Sequence, residues 1–372
     1  MRKNRKRLRK IEKVGTGLPM TVVLLAIACI LVFIGLIFVF EASSIRALNA
    51  TGDSFHYLKL QLRWIFFGLI VLGFFSWYNY KNLYYISIPA MLGVILLLIV
   101  VLIPGIGHSA GGARSWIDLG FITVQPTEFT KFAIILYLAS WFSKKDKSRF
   151  IPFILLVGFL LLLIMMQPDM GTSIMVFCLS IAMYFLAGQD LRYLLAMAPV
   201  AVIGFVGLIF SAPYRLKRLT AFLNPEEDPL GVGFHINQIL ISVTEGGLFG
   251  RGFGASRQKY LFLPEAHTDS IFAIISEELG FIGSILIIVL YFVFLYKLYQ
   301  LYTDVGDRFG KLLIGGIFTY FGLQIIINLG GMVNIMPLTG VTLPFVSYGG
   351  SSMLASCMLL GIAVNVARQT KS

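Results

Sequence analysis

LPMTVVLLAIACILVFIGLIFVF, from Leu18 to Phe40, is an apolar run without a single charged residue. A bilayer crossing takes about 20 such residues. The run is too long for the core of a signal peptide, and no small-residue cleavage site follows it. Ahead of it lie Arg2, Lys3, Arg5, Lys6, Arg7, Arg9, Lys10 and Lys13. A basic cluster directly before a membrane span reads as a cytoplasmic tail (residues 1–17) lying on anionic lipid, not as a nucleic-acid surface.

Similar runs recur through the 372 residues, of which 58% are hydrophobic and 13% charged. A soluble domain carries roughly twice that charged fraction. The chain therefore reads as an all-α membrane protein forming one polytopic domain over 1–372. Ten transmembrane helices are expected near 18–40, 62–79, 83–103, 126–142, 150–167, 172–187, 192–211, 270–296, 312–333 and 345–367. An even count puts both termini on one side. That side collects 19 basic and 5 acidic residues, and the other face 10 of each. The positive-inside rule then places both termini in the cytoplasm. Cys29, Cys178 and Cys357 all fall inside apolar spans and read as small core residues.

With that topology the outer face carries a long extracellular loop over 211–269. It opens on Pro213-Tyr214-Arg215-Leu216-Lys217-Arg218. Three cations in four residues are either a tolerated feature of a long translocated loop or a site for an anion such as a phosphate. The run Phe234 to Val243 resembles an interfacial or re-entrant helix. Gly246, Gly247, Gly250, Gly252 and Gly254 follow as a pliable connection.

The loop closes on Tyr260 to Gly280, which sets Glu265, His267 and Asp269 just before a span. On a helix, Glu265 and Asp269 would share a face at i, i+4. Two carboxylates suit general acid and base work. Alternatively, Asp269 caps the following helix, although Thr268 can fill that role. With no second ligand cluster, a metal held by His267 and the carboxylates has little support.

Glu128 and Lys131 stand at i, i+3 where a span begins, as a structural ion pair or a substrate-binding wall. Glu277 and Glu278 are expected to face the bundle interior, with no partner evident. Pro337 to Ser352, dense in Gly and hydroxyl residues, breaks the helical pattern at the membrane surface, as chain lining a cavity does. Transporters use such breaks too. On residues alone, enzyme and transporter both stand.

Several motifs together resemble the SEDS family (shape, elongation, division and sporulation), which includes FtsW, RodA and SpoVE. They are Gly112-Ala113-Arg114-Ser115-Trp116-Ile117, Gln125-Pro126-Thr127-Glu128 with Lys131, Gln167 to Thr172, and Asn224-Pro225. Gly246 to Gly250, Leu263 to Asp269, Glu277 to Gly280, and Leu343 to Ser352 complete the set. The resemblance implies a polymerase of lipid II at the outer face of a bacterial cytoplasmic membrane. It makes Asp269 the essential residue, expected as general base on the acceptor 4-hydroxyl, with undecaprenyl pyrophosphate leaving. Trp116, Glu128 and Lys131 match positions the family uses around its cavity, and Arg63 falls where the family has a basic residue. Glu265, His267, Ser347 and Ser351 join them as substrate-binding candidates. Arg114, Arg215, Lys217 and Arg218 are the candidate cations for the pyrophosphate.

No certain cofactor is implied, and Mg²⁺ or Mn²⁺ is the candidate. Expected partners are lipid II, the lipid-linked glycan strand, membrane lipid, a class B penicillin-binding transpeptidase and other division or elongation proteins. A lipid II flippase is the alternative reading. Gly254 to Lys259 stands nearer to FtsW and SpoVE than to RodA. Two positions depart from the family pattern: Ser270 replaces the usual Phe after the aspartate, and Thr244-Glu245 replaces small residues before Gly246.

Overall fold

A computed structural model describes residues 18–110, 113–118, 120, 122–144, 149–210, 213–227, 231–260 and 263–370. The basic tail at 1–17, Gly112, Lys145, Lys147, Asp228 with Pro229, and Lys371 lie outside these residues.

Among the described residues, ten helices overlap the ten expected stretches, several of them running well past the expected ends. They are α1 (Met20–Thr51), α2 (His56–Trp77), α3 (Leu83–Val100), α4 (Pro126–Ser143), α5 (Phe150–Met165), α6 (Met170–Leu186), α7 (Leu191–Phe210), α10 (Ile271–Asp304), α11 (Arg308–Met332) and α12 (Gly350–Thr370). Among the described residues, six helices are long and apolar enough to cross a membrane unaided, and α5 and α6 are shorter apolar helices. This is a multi-pass membrane protein. Between α7 and α10, α9 (Val232–Glu245) covers the run Phe234 to Val243 where a short helix is expected, and α8 (Pro213–Leu223) is a further helix beyond those expected.

An all-α reading misses one element. The segment between α3 and α4 folds as a three-stranded antiparallel sheet of β1 (Gly107–Ala110), β2 (Ala113–Asp118) and β3 (Thr123–Val124). Its register pairs Gly107 with Ile117 and Ile117 with Val124. Strands this short leave almost no periodic signal in the sequence.

α12 is the central post: 89% of its apolar stretch is buried, against 17% for α2, whose outer face carries Phe66, Leu69, Ile70 and Phe74 toward lipid. The two pack closely because Gly361 leaves room for the Leu72 carbonyl and Phe75, as small residues do at membrane helix interfaces.

Helix α1 has 32 residues. At 1.5 Å per residue it reaches about 48 Å, well beyond a hydrocarbon core of roughly 30 Å. Its last turns therefore run past the length a span needs and carry Glu41 and Arg46 to the loop that holds Asp269.

Candidate active site

The loop bearing Asp269 is fixed from several sides. It is not helical: the chain runs in turns from Pro264 to Ser270, and Glu265 adopts a left-handed φ of 50°. The expected i, i+4 helical face for Glu265 and Asp269 is therefore corrected. What couples them instead is Thr268, whose hydroxyl lies 3.2 Å from Asp269 Oδ1, 3.2 Å from Glu265 Oε2 and 3.0 Å from the Glu265 carbonyl. One hydroxyl proton serves one acceptor at a time.

Asp269 does not cap α10. The preceding residue in that role is Ser270, without a side-chain cap bond. The Asp269 carbonyl accepts from Asn328 Nδ2 at 2.8 Å, and the same amide group reaches the Val341 carbonyl at 2.8 Å. The His267 carbonyl accepts from the Tyr348 N–H at 2.9 Å. Asn328 was missed in the sequence, though an asparagine inside an apolar span is itself a signal.

The Asp269 side chain keeps some access to solvent, yet dense surrounding protein raises its pKa from 3.8 to about 6, helped by the negative charge of Glu265. A hydrogen bond from Thr268 and the positive charge of Arg218 oppose the rise. A carboxylate of this strength is ionised at neutral pH and still a competent proton acceptor.

Beside it opens a cavity of about 310 Å³ with Arg215, Arg218 and Thr339 on its wall. Gly340, next to Thr339, would bring a β-carbon to within 3.9 Å of Asp269 Oδ2. Helix α8 explains which cations reach this space. Arg215 and Arg218 sit at i, i+3 on its inward face, whereas Lys217 is turned out and exposed. Of the three cations, Arg215 and Arg218 thus line the cavity and Lys217 does not. Arg215 Nε also donates to Tyr214 Oη at 2.9 Å.

Arg63 occupies a different, open groove of about 550 Å³ with Lys59, Phe66, Phe67 and Ile122. Arg114 does not line the cavity that Arg215 and Arg218 share. Its Nε donates to the Gly107 carbonyl at 3.0 Å and its Nη2 to the Ile103 carbonyl at 3.3 Å, tying the sheet to the end of α3. Trp116, half-buried, lies on β2.

Glu128 and Lys131 form the expected pair at 2.7 Å, both buried, with the ammonium 5.6 Å from the Tyr320 ring. Neither lines the two cavities above. Ser347 Oγ accepts from the Leu343 N–H and Ser351 Oγ from the Gln125 N–H, each at 2.9 Å, so both buried hydroxyls hold backbone in place. His267 is buried against Tyr57 and Tyr348, at ring distances of 4.4 and 5.4 Å. Burial, with Arg46 nearby, lowers its pKa to about 4, so the ring is neutral. Glu265 is half-exposed and pairs with Arg46 at 3.6 Å. Among the described residues no three His, Cys, Asp or Glu groups gather as metal ligands. The residues around Asp269 do not make a protein cage for Mg²⁺ or Mn²⁺.

Glu277 and Glu278 find the partners the sequence does not reveal. Helix α10 breaks at Gly280, with φ 68° and ψ −166°, and the glycine-rich loop fills the break. The Arg251 and Gly252 amides donate to the Glu277 and Glu278 carbonyls at 2.9 and 3.1 Å. Phe281 and Ile282 donate back to the Gly247 and Leu248 carbonyls at 2.9 and 3.2 Å. Backbone groups freed at the break are thereby paired, as burial demands.

The side chains add to this. Glu277 accepts from Ser256 Oγ (2.6 Å) and the Arg257 N–H (2.8 Å). Glu278 accepts from the Gly254 N–H (3.0 Å) and from Lys259 Nζ (3.3 Å). Lys259 also donates to Glu41 Oε2 at 2.7 Å, which joins α1 to the network. The loop leading to Asp269 is consequently built onto α10 rather than hung from it. Glu245, a departure from the family pattern, pairs with Arg251 at 2.7 Å on the rim of this network.

Comparison with known proteins completes the description. A family model for FtsW, RodA and SpoVE, described as "Cell cycle protein", matches residues 21–372. Stage V sporulation protein E of Bacillus subtilis is 43% identical over 354 residues, covering 94% of this chain and 97% of that protein. A probable peptidoglycan glycosyltransferase FtsW of Trichlorobacter lovleyi is 39% identical over 355 residues, 94% of this chain and 93% of its own. Among solved structures, a chain from a peptidoglycan synthase complex that coordinates polymerization and crosslinking superposes with a TM-score of 0.77 at 25% identity, covering 96% of this chain and 99% of that one. Thermus thermophilus RodA gives 0.69 at 26% identity, covering 94% and 97%.

Proposed function

From the chain's membership of the FtsW/RodA/SpoVE (SEDS) family, we propose that it polymerises lipid II into glycan strands, as a peptidoglycan glycosyltransferase of the bacterial cytoplasmic membrane. Relatives named as such glycosyltransferases match over more than nine-tenths of the chain. The observation that carries the mechanism is the Asp269 carboxyl, raised to about 6 beside a cavity lined by Arg215 and Arg218.

Asp269 accepts the proton of the acceptor 4-hydroxyl as that oxygen attacks the anomeric carbon of the lipid-linked strand. The bond from that carbon to the pyrophosphate oxygen breaks with inversion, and undecaprenyl pyrophosphate leaves. Base catalysis of this kind contributes typically ~10²–10⁴-fold. Arg218, with Arg215, offsets the negative charge that develops on the leaving group. The site faces outward, with ten spans and both termini in the cytoplasm, and a class B penicillin-binding transpeptidase is the partner that crosslinks the strands. A flippase is not favoured. It would need ionisable groups serving access from both faces, whereas Glu277 and Glu278 have their oxygens committed to the loop.

The test is reconstitution of the purified protein in vesicles holding lipid II. Glycan strands resolved on a gel are the expected product. Lipid II crossing the bilayer with no polymer formed would overturn the assignment.

A further inference from the structure

We propose that His235 is a positioning residue for Asp269, clamping the end of the turn that carries it through Ser270. Helix α9 lies against α8, α10 and α11 and directs His235 at the turn. Its Nε2 is 2.9 Å from Ser270 Oγ, and in the neutral ring this nitrogen either accepts the hydroxyl proton or donates to the hydroxyl oxygen. Burial favours that neutral state, lowering the His235 pKa to about 4.

Pro264 and Ser270 bracket the turn, and Asp269 is bonded directly to Ser270. Ser270 is fully buried, so its hydroxyl has no water to turn to. Two further ties reach the turn elsewhere, from Asn328 to the Asp269 carbonyl and from Tyr348 to that of His267. The Ser270 N–H closes the turn on the Glu265 carbonyl at 3.3 Å, and His235 is the side chain that holds the Ser270 hydroxyl.

A catalytic group displaced by about 1 Å can cost 10²-fold in rate. His235→Ala is expected to lower kcat for lipid II polymerisation by about 10–100-fold while KM stays within about twofold. Ser270→Ala should cost a similar factor, and the double variant no more than the worse single one, because both break the same bond. His235→Gln, whose amide both donates and accepts, should recover most of the rate, and His235→Phe should not.

A purely structural role would not move the acid limb of the pH–rate profile. Here it should. The groups facing Asp269 are Glu265 on its own turn and Arg218 on α8. Loosening the turn should therefore take the limb below its wild-type position in His235→Ala, and His235→Gln should bring it back. An unchanged kcat in His235→Ala overturns the proposal. So does a fall in kcat with an unmoved limb and no rescue by glutamine. If His235→Ala does not fold, Ser270→Ala carries the same expectations.

The inference rests on Asp269 as the base, and the two fail separately. Full activity in Asp269→Asn removes the base, whereas an inactive Asp269→Asn beside a fully active His235→Ala removes only the clamp.

Discussion

Replacing Asp269 with asparagine should make the folded protein more stable while it stops catalysis. Burial and Glu265 raise this carboxyl from 3.8 to about 6. At roughly 1.4 kcal/mol per pH unit, keeping it ionised in the fold costs about 3 kcal/mol above the higher value. Above pH 6 the native and unfolded chains both carry the charge, and the whole cost is present. As the pH falls from 6 toward 3.8 the native state takes up the proton first, so the cost fades and is gone below the unfolded value. Asparagine keeps the shape and removes the charge. The assay is thermal unfolding of wild type and Asp269→Asn in one detergent at pH 8 and at pH 4.5. The variant should melt about 6–12 °C higher at pH 8, at about 2–4 °C for each kcal/mol in a mid-sized domain, and the gap should shrink at pH 4.5. A variant that melts lower at pH 8, or a gap that ignores pH, would refute the reasoning that the carboxyl is held against its own solvation.

The same carboxyl predicts that polymerisation falls about tenfold per pH unit below roughly 6, since the protonated acid cannot accept the hydroxyl proton; a flat profile down to pH 5 would count against it. Arg218→Gln should slow polymerisation by about 10²-fold, the usual size of a lost charge-stabilising contact, while Lys217→Gln stays within about twofold, as steady-state rates would show. Lys131→Met leaves Glu128 buried and unpaired, at a cost of about 3–5 kcal/mol; adding Glu128→Gln should recover part of it in the same melting assay. Gly280→Ala forces a side chain into a left-handed φ and against the Gly250 amide, so stability should drop by at least about 1–2 kcal/mol, with activity lost in parallel.

What was legible in the sequence is what depends on local pattern. Long apolar runs such as Leu18–Phe40 announce helices because no other structure pairs backbone groups inside lipid. Asp269 stands out because it shares a short stretch before a span with Glu265 and His267, three groups able to move a proton. The i, i+3 pairing of Glu128 and Lys131 follows from helix geometry alone. Reading the same geometry over Pro213–Leu223 would have separated Lys217 from Arg215 and Arg218.

What was not legible depends on contacts made far along the chain. Nothing near Glu277 and Glu278 tells that their oxygens serve amides twenty residues earlier, or that Lys259 reaches back to Glu41 on α1. Nor can alternation over two to six residues announce the sheet between α3 and α4. The turn at Glu265 hides for the opposite reason. Its neighbours form helix readily, and only packing against α9, α11 and the segment after Leu343 holds it open.

The most direct test of Asp269 as the base is the polymerisation of purified lipid II by wild type and Asp269→Asn, both shown to be folded. Long glycan strands from wild type, and a rate at least ~10²-fold lower from the asparagine variant, are the predicted result. Equal rates would contradict the central claim.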